Sequence, residues 1–165
     1  MIIYLVRCLR MDDLDLTDLR LLHALQRNAQ STAAELSDLL NLSASQIGRR
    51  RQRLEAEGYI TGVTARVDAK KLGLSVQAFI QVQTGAHAAE THGAFRKLVD
   101  RQPEIIAAWT MTGEADYMLR VVCADLAALN RLVQDVLLPH PSIGRVQSQI
   151  VMEELKDAIA LPLDV

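Results

Sequence analysis

Cysteine is nearly absent from this chain. Its two residues, Cys8 and Cys123, lie far apart and show no metal-ligand spacing, which points to a reduced cytoplasmic protein. The four histidines, His23, His87, His92 and His140, form no metal motif either. No Ser/His/Asp or Cys/His set has a supporting context and no phosphate loop is present, so nothing argues for catalysis, a metal or a cofactor. Long apolar runs are missing as well. The stretch from Met1 through Ile2, Ile3, Tyr4 and Leu5 to Val6 is too short to span a bilayer and lacks a signal-peptide cleavage pattern. Low-complexity tracts and internal repeats are absent, and Met11-Asp12-Asp13-Leu14-Asp15 reads as a more natural start, leaving residues 1–10 as an N-terminal extension.

A strong net charge is also lacking: the balance is −2 over 165 residues, half of them hydrophobic, enough for one or two small domains with a real core. The charge is unevenly spread. Residues 43–71 carry seven Lys/Arg against three acids, a local +4, whereas residues from Leu72 onward carry seven against eleven, a local −4. A basic segment inside an acidic chain implies a polyanion-binding module joined to one with another task.

The most informative stretch is 31–58. Two helical patterns each open with a capping box, Thr32 with Glu35 and Ser43 with Gln46, and only Asn41 and Leu42 separate them. So short a joint forces a steep crossing, as in a helix-turn-helix. An earlier helix is expected from Leu14, Leu16, Leu19, Leu22 and Leu25, capped by Asp15 or Thr17 and ending near Asn28. Gly58 stands where a left-handed helix terminator is wanted. Residues 59–68 are β-branched and turn-punctuated, which predicts a short strand or wing.

The second half changes rhythm. Val76, Ala78, Ile80 and Val82 alternate with Gln77, Phe79, Gln81 and Gln83, a half-buried strand. Residues 88–102 put Phe95, Leu98 and Val99 on one helical face and stop at Pro103. Strands are expected over 105–112 and 116–122, a helix over 124–138 stopped by Pro139 and Pro141, and a last strand over 146–152. The order β-α-β-β-α-β is the ferredoxin-like arrangement, whose sheet has helices on one face and leaves the other for a second copy. The fold class is therefore α+β: an N-terminal three-helix (winged) helix-turn-helix domain, 11–61; a strand and connector, 62–74; a ferredoxin-like domain with a face open to oligomerisation, 75–158; and a tail, 159–165.

With Ile47 and Leu54 inward, Ser45, Arg49, Gln52 and Ala56 fall on the opposite face of the third helix. Ser45 and Arg49 are the candidates for base edges, flanked by Ser43, Ala44 and Gln46, because Arg reads guanine bidentately and Ser or Gln bond several base edges. Arg50, Arg53, Lys70 and Lys71 are expected at phosphate. The bland alternative is a solvated basic face. Gly48 costs about 1 kcal/mol against Ala inside a helix, whether merely tolerated or present for close approach to DNA.

The two halves together resemble the Lrp/AsnC (feast/famine) family of transcription regulators. The resemblance rests on Leu14-Asp15-x-x-Asp18, Glu35-Leu36, Leu42-Ser43, Arg50, Leu54, Glu55, Gly58 and Ile60, then Gly113-Glu114-Ala115-Asp116-Tyr117, Glu153 and Lys156. It implies double-stranded DNA as partner, with a roughly palindromic operator, and dimers that assemble further into octamers. It also implies an amino acid or related metabolite bound between dimers near the turn of Thr112, Gly113, Glu114 and Asp116, which adds effector binding to the 75–158 domain. Backbone N–H groups of a Gly-containing turn suit a carboxylate, and an acid suits an amino group. Trp109 and Met111 precede this turn on one strand face and are weighed as sheet packing or dimer surface before a ligand cage. The second half is also similar to a subgroup that includes cysteine-responsive regulators. One departure stands out: Arg51 occupies a position where the family has an apolar residue, about 40° from Ile47 around the helix. Either its stem covers the first-helix leucines or this face is less buried. Two other readings share the layout: a sirohaem-decarboxylase-like enzyme, which requires a tetrapyrrole-sized pocket with basic and histidine side chains, and a nucleoid-architectural protein.

Overall fold

The computed structural model describes residues 14–85, 89–156 and 160–163, and the side chains of 89–91 also fall outside it. The expected extension 1–10 with Cys8, and His87, lie outside the described residues. The chain divides into two compact units, Met1–Ala65 with Lys156–Val165, and Arg66–Leu155.

The first unit contains α1 (Leu16–Arg27), α2 (Ala33–Leu40) and α3 (Ala44–Ala56). Each starts at a capping box: Asp15 with Asp18, Thr32 with Glu35, Ser43 with Gln46. These reciprocal bonds satisfy N–H groups that no helical turn can reach. Asn41 takes the left-handed conformation (φ 53°) that reverses the chain between α2 and α3. Leu21 and Leu25 of α1, Leu36 of α2, and Ile47 and Leu54 of α3 form one buried cluster. Gly58 (φ +78°) ends the third helix, and the N–H groups of Tyr59 and Ile60 both donate to Leu54 O, at 2.9 and 3.1 Å.

The predicted wing strand does not form among the described residues. Residues 61–68 have no ladder partner, and Val63 and Val67 are exposed. β-branched composition favours a strand only where a second strand accepts its backbone groups, and the described chain offers none. The tail instead joins this unit: the Leu161 N–H donates to Gln26 Oε1 at 2.6 Å, and Leu161 and Leu163 line an apolar groove with Leu19, Leu22 and Tyr59.

The second unit runs β1 (Val76–Thr84), α4 (Ala89–Asp100), β2 (Ile105–Thr110), β3 (Tyr117–Cys123), α5 (Leu126–Arg131) and β4 (Ile143–Ile150). The sheet order is β2-β3-β1-β4, every neighbour antiparallel, which is the expected split βαβ layout. Ala78, Ile80 and Val82 of β1 and Tyr117, Leu119 and Val121 of β3 meet Phe95 of α4 and Leu129, Leu132 and Leu137 in one core. Full burial of a side chain such as Ile80 or Leu119 contributes about 1.5–3 kcal/mol.

Several boundaries differ from expectation: β2 ends at Thr110 and not 112, and α4 at Asp100 and not 102. The helix predicted over 124–138 is α-helical only to Arg131; Leu132–Leu137 is a π-helical run, closed by Leu138 N–H to Val133 O at 2.9 Å. The widened turn brings Leu132 and Leu137, five residues apart, onto the core side together, which ordinary α spacing does not. The last strand begins at Ile143, because a bulge between Gln83 and Thr84 lets Thr84 pair with Ile143, and it ends at Ile150.

Candidate nucleic-acid interface and effector turn

The exposed side of α3 is assembled from its first turn. Ser43 Oγ accepts the Gln46 N–H at 3.2 Å, while Gln46 Oε1 accepts the Ser43 N–H at 2.9 Å and its hydroxyl at 3.0 Å. These bonds fix the helix start and leave Ala44, Ser45 and Arg49 exposed beside it. Neither Ser45 nor Arg49 has a side-chain partner among the described residues.

The other arginines of α3 are differently placed. Arg50 Nη1 donates to Asp15 Oδ2 and to Asp18 Oδ1, both at 2.7 Å, and Arg53 Nη2 donates to Asp18 Oδ2. Asp18 is only 1% exposed, so the pair of guanidinium groups neutralises a buried carboxylate and ties α1 to α3. The two carboxylates, Asp18 first, hold the Arg50 guanidinium above its usual range by hydrogen bonding. Burial pushes Asp15 up, but the Asp18 N–H and the Arg50 guanidinium outweigh it and leave its carboxyl below the usual range. The sequence expectation that Arg50 and Arg53 touch phosphate therefore meets a competing internal partner, a long-range pairing with no local signal. Arg51 Nε bonds Glu55 Oε1 at 2.9 Å, while its side chain lines the groove formed with Leu14, Leu19 and Leu22 of the first unit. The side chain thus borders the α1 leucines at a groove that stays open, so both alternatives raised by the sequence apply in part.

In the second unit the turn of Thr112, Gly113 and Glu114 is exposed at the β2–β3 hairpin end. Gly113 has φ +112°, a conformation that side-chain-bearing residues rarely adopt. The N–H groups of 112–115 donate to no protein group among the described residues. Asp116 does more than close the turn. Its Oδ2 accepts both the N–H and the hydroxyl of Thr84 at 2.7 Å, its N–H donates to Val82 O at 3.0 Å, and its carbonyl accepts the Met111 N–H at 2.8 Å. It thus anchors the hairpin mouth to the end of β1, a role that sequence spacing does not reveal. Glu114 and Ala115 share a dent of about 20 Å³ with Gln81, Gln83, Arg145 and Gln147, room for a single water.

A larger groove, about 810 Å³, follows edge strand β2 against α4 and holds His92, Phe95, Arg96, Trp109, Thr110 and Tyr117. His92 Nδ1 lies 2.7 Å from the Tyr117 hydroxyl, and Phe95 packs on the same ring with centroids 4.2 Å apart. Burial, then the Asp116 charge, push the Tyr117 hydroxyl above its usual range. The signal for this cluster is present in part: Tyr117 follows Asp116 in the turn motif, but its partners lie on α4.

The register separates the two sheet faces. Trp109 pairs with Met118, and Gln81 with Met118 and Gln147, all on the face away from the helices, where Phe79 and Arg120 also pair. Thr110 pairs with Tyr117 on the helix-covered face yet remains exposed, because β2 is the sheet edge.

The chain matches the Lrp/AsnC ligand binding domain over residues 77–161 and a winged helix-turn-helix DNA-binding domain over 14–61. It is 32% identical over 151 residues to the DNA-binding transcriptional activator DecR of Escherichia coli strain K12, spanning 92% of this chain and 99% of that protein. The glutamate uptake regulatory protein of Zymomonas mobilis is 33% identical over 150 residues, with 91% of each chain covered. Among solved structures, a transcriptional regulator from Neisseria meningitidis in complex with L-Met superposes with a TM-score of 0.87 at 35% identity, covering 90% of this chain and 96% of that one. Escherichia coli AsnC superposes with a TM-score of 0.81 at 27% identity, covering 90% and 99%.

Proposed function

The chain belongs to the Lrp/AsnC family of transcription regulators, and from that membership we propose that it is an amino-acid-responsive homo-oligomer that reads a roughly palindromic operator in the cytoplasm and has no enzymatic activity. It is a DNA-binding transcription regulator. Its effector site is Thr112, Gly113, Glu114 and Asp116; its DNA face is Ser43, Ala44, Ser45, Gln46 and Arg49, with Arg50 and Arg53 behind it. Ser45 and Arg49 meet base edges, since both combine exposure near the helix start with side-chain donors that have no partner among the described residues, with the Gln46 amide beside them. No helix among the described residues is long and apolar enough to cross a membrane.

The observation that carries the effector reading is the β2–β3 turn: four adjacent N–H groups without an acceptor among the described residues, suited to a carboxylate, beside the acid Glu114. A relative solved with L-Met supports an amino acid as the class. The dent at the turn holds one water, so an amino acid seated there takes its remaining walls from another copy of the chain. A ligand between copies then changes their mutual affinity, because binding linkage is reciprocal.

A thermal-shift screen of the twenty amino acids tests this. A ligand that binds only the native state raises the melting temperature. The wild-type protein is expected to respond to one amino acid or a few, and Gly113→Val to none, while both footprint the operator without ligand. A Gly113→Val protein that answers the effector with wild-type affinity overturns the site assignment.

A further inference from the structure

Helix α3 carries four arginines, and the fold pairs three of them with carboxylates: Arg50 and Arg53 with Asp18, Arg51 with Glu55. We infer that Asp18 is a specificity-determining residue: by holding Arg50 and Arg53 it withholds them from the DNA backbone and leaves Arg49 as the uncompensated cation of the reading helix. This rests on the DNA-binding reading of α3.

The geometry gives the reason. Arg53 lies one turn beyond Arg49 and about 40° from it around the helix, so a released Arg53 side chain runs along the same side. Arg50 and Arg53 keep partial exposure despite their pairing, so phosphate is within competition for them. Two facts decide that competition. Asp18 is 1% exposed, and a buried carboxylate stripped of its partners is far more costly than an exposed ion pair foregone in water. Asp15, itself exposed, adds a second carboxylate on Arg50. The four charges cancel, and a neutral cluster releases few counterions when it meets DNA. Phosphate contacts give affinity for every sequence alike, whereas base contacts discriminate. A chain that neutralises its own phosphate-directed arginines keeps random DNA weakly bound and lets Ser45 and Arg49 set the difference.

The test compares wild-type protein, Asp18→Asn and Arg53→Gln on operator and random duplexes across a salt series. Asp18→Asn keeps the shape of the side chain and removes its charge. It is expected to steepen the slope of log K against log[salt] on random DNA by about 0.9 per protomer, for the phosphate that a released Arg53 neutralises while Asp15 still holds Arg50. Random-DNA affinity rises tenfold or more, and the operator-to-random ratio falls. Adding Arg50→Gln and Arg53→Gln to Asp18→Asn returns the slope to the wild-type value. A merely structural Asp18 lowers the melting temperature and weakens both duplexes alike without steepening the slope, and that result overturns the inference. Should Asp18→Asn not fold, Arg53→Gln, which leaves Asp18 paired with Arg50, decides: an unchanged slope supports the inference, and a slope shallower by about 0.9 overturns it. Wild-type protein without any salt-dependent DNA binding overturns the DNA-binding reading itself, which the variants alone cannot do.

Discussion

Arg51 sits close to the buried stripe of α3, a place where sequence pattern asks for an apolar side chain, and it resolves the conflict by dividing itself. The side chain borders the same apolar groove as Leu19 and Leu22 while its guanidinium bonds Glu55 one turn on. Arg49 shows the opposite case: no described residue claims it, and its exposure near the start of the helix is what makes it a candidate for reading a base. Arg49→Ala is expected to cost about 1–3 kcal/mol at one operator position and to relax the preference there. Competition binding against a set of single-base operator variants measures this; equal losses on operator and random DNA reassign Arg49 to phosphate. Cys123 illustrates burial acting on chemistry. Burial, then Glu104 and Asp125, push its thiol up against the pull of Arg131, and it is 1% exposed. Thiolate is the reactive form. Alkylation mapped by peptide mass spectrometry at neutral pH is therefore expected to label Cys123 only when the protein is unfolded; labelling of the native protein at the denatured rate contradicts this burial.

At the scale of elements, the helices of the first unit are legible in the sequence because their signals are local. Asp15 with Asp18, Thr32 with Glu35 and Ser43 with Gln46 are pairs three residues apart, and all three close as boxes. The β-branched run after Gly58 reads as a strand or wing yet forms no strand among the described residues for the opposite reason, since a strand is a statement about a partner. The π-helical run at Leu132–Leu137 is also hidden: periodicity indicates a helix, but the core chooses which leucines turn inward. Gly48 gives an element-level prediction. A Cβ built there meets nothing within 4 Å, so Gly48→Ala is expected to stabilise α3 by roughly 1 kcal/mol and raise the melting temperature by a few degrees. Thermal unfolding followed by circular dichroism checks it, and an unchanged or lower midpoint contradicts it.

At the scale of the molecule, the sheet of the second unit has helices on one face and Phe79, Met118 and Trp109 among glutamines on the other. An antiparallel sheet so built leaves one face for another partner, and a second copy of the same sheet fits it by two-fold symmetry. Sedimentation at micromolar concentration is expected to give at least a dimer, and Phe79→Glu to shift the mass toward the monomer with the fold retained. A wild-type monomer refutes the homo-oligomer.

The sequence by itself determined the three capped helices, the β-α-β-β-α-β order, the tight turn at Gly113 and the residues that carry the family resemblance. Each depends on interactions within a few positions or on a repeating period. Tertiary structure alone decided which charges remain available. Asp18 takes Arg50 and Arg53 across 32 and 35 residues, and Thr84 takes Asp116 across 32. A formal charge count sees four arginines on α3; the packing leaves Arg49 without a carboxylate among the described residues, because ion pairing depends on distances that only helix packing sets.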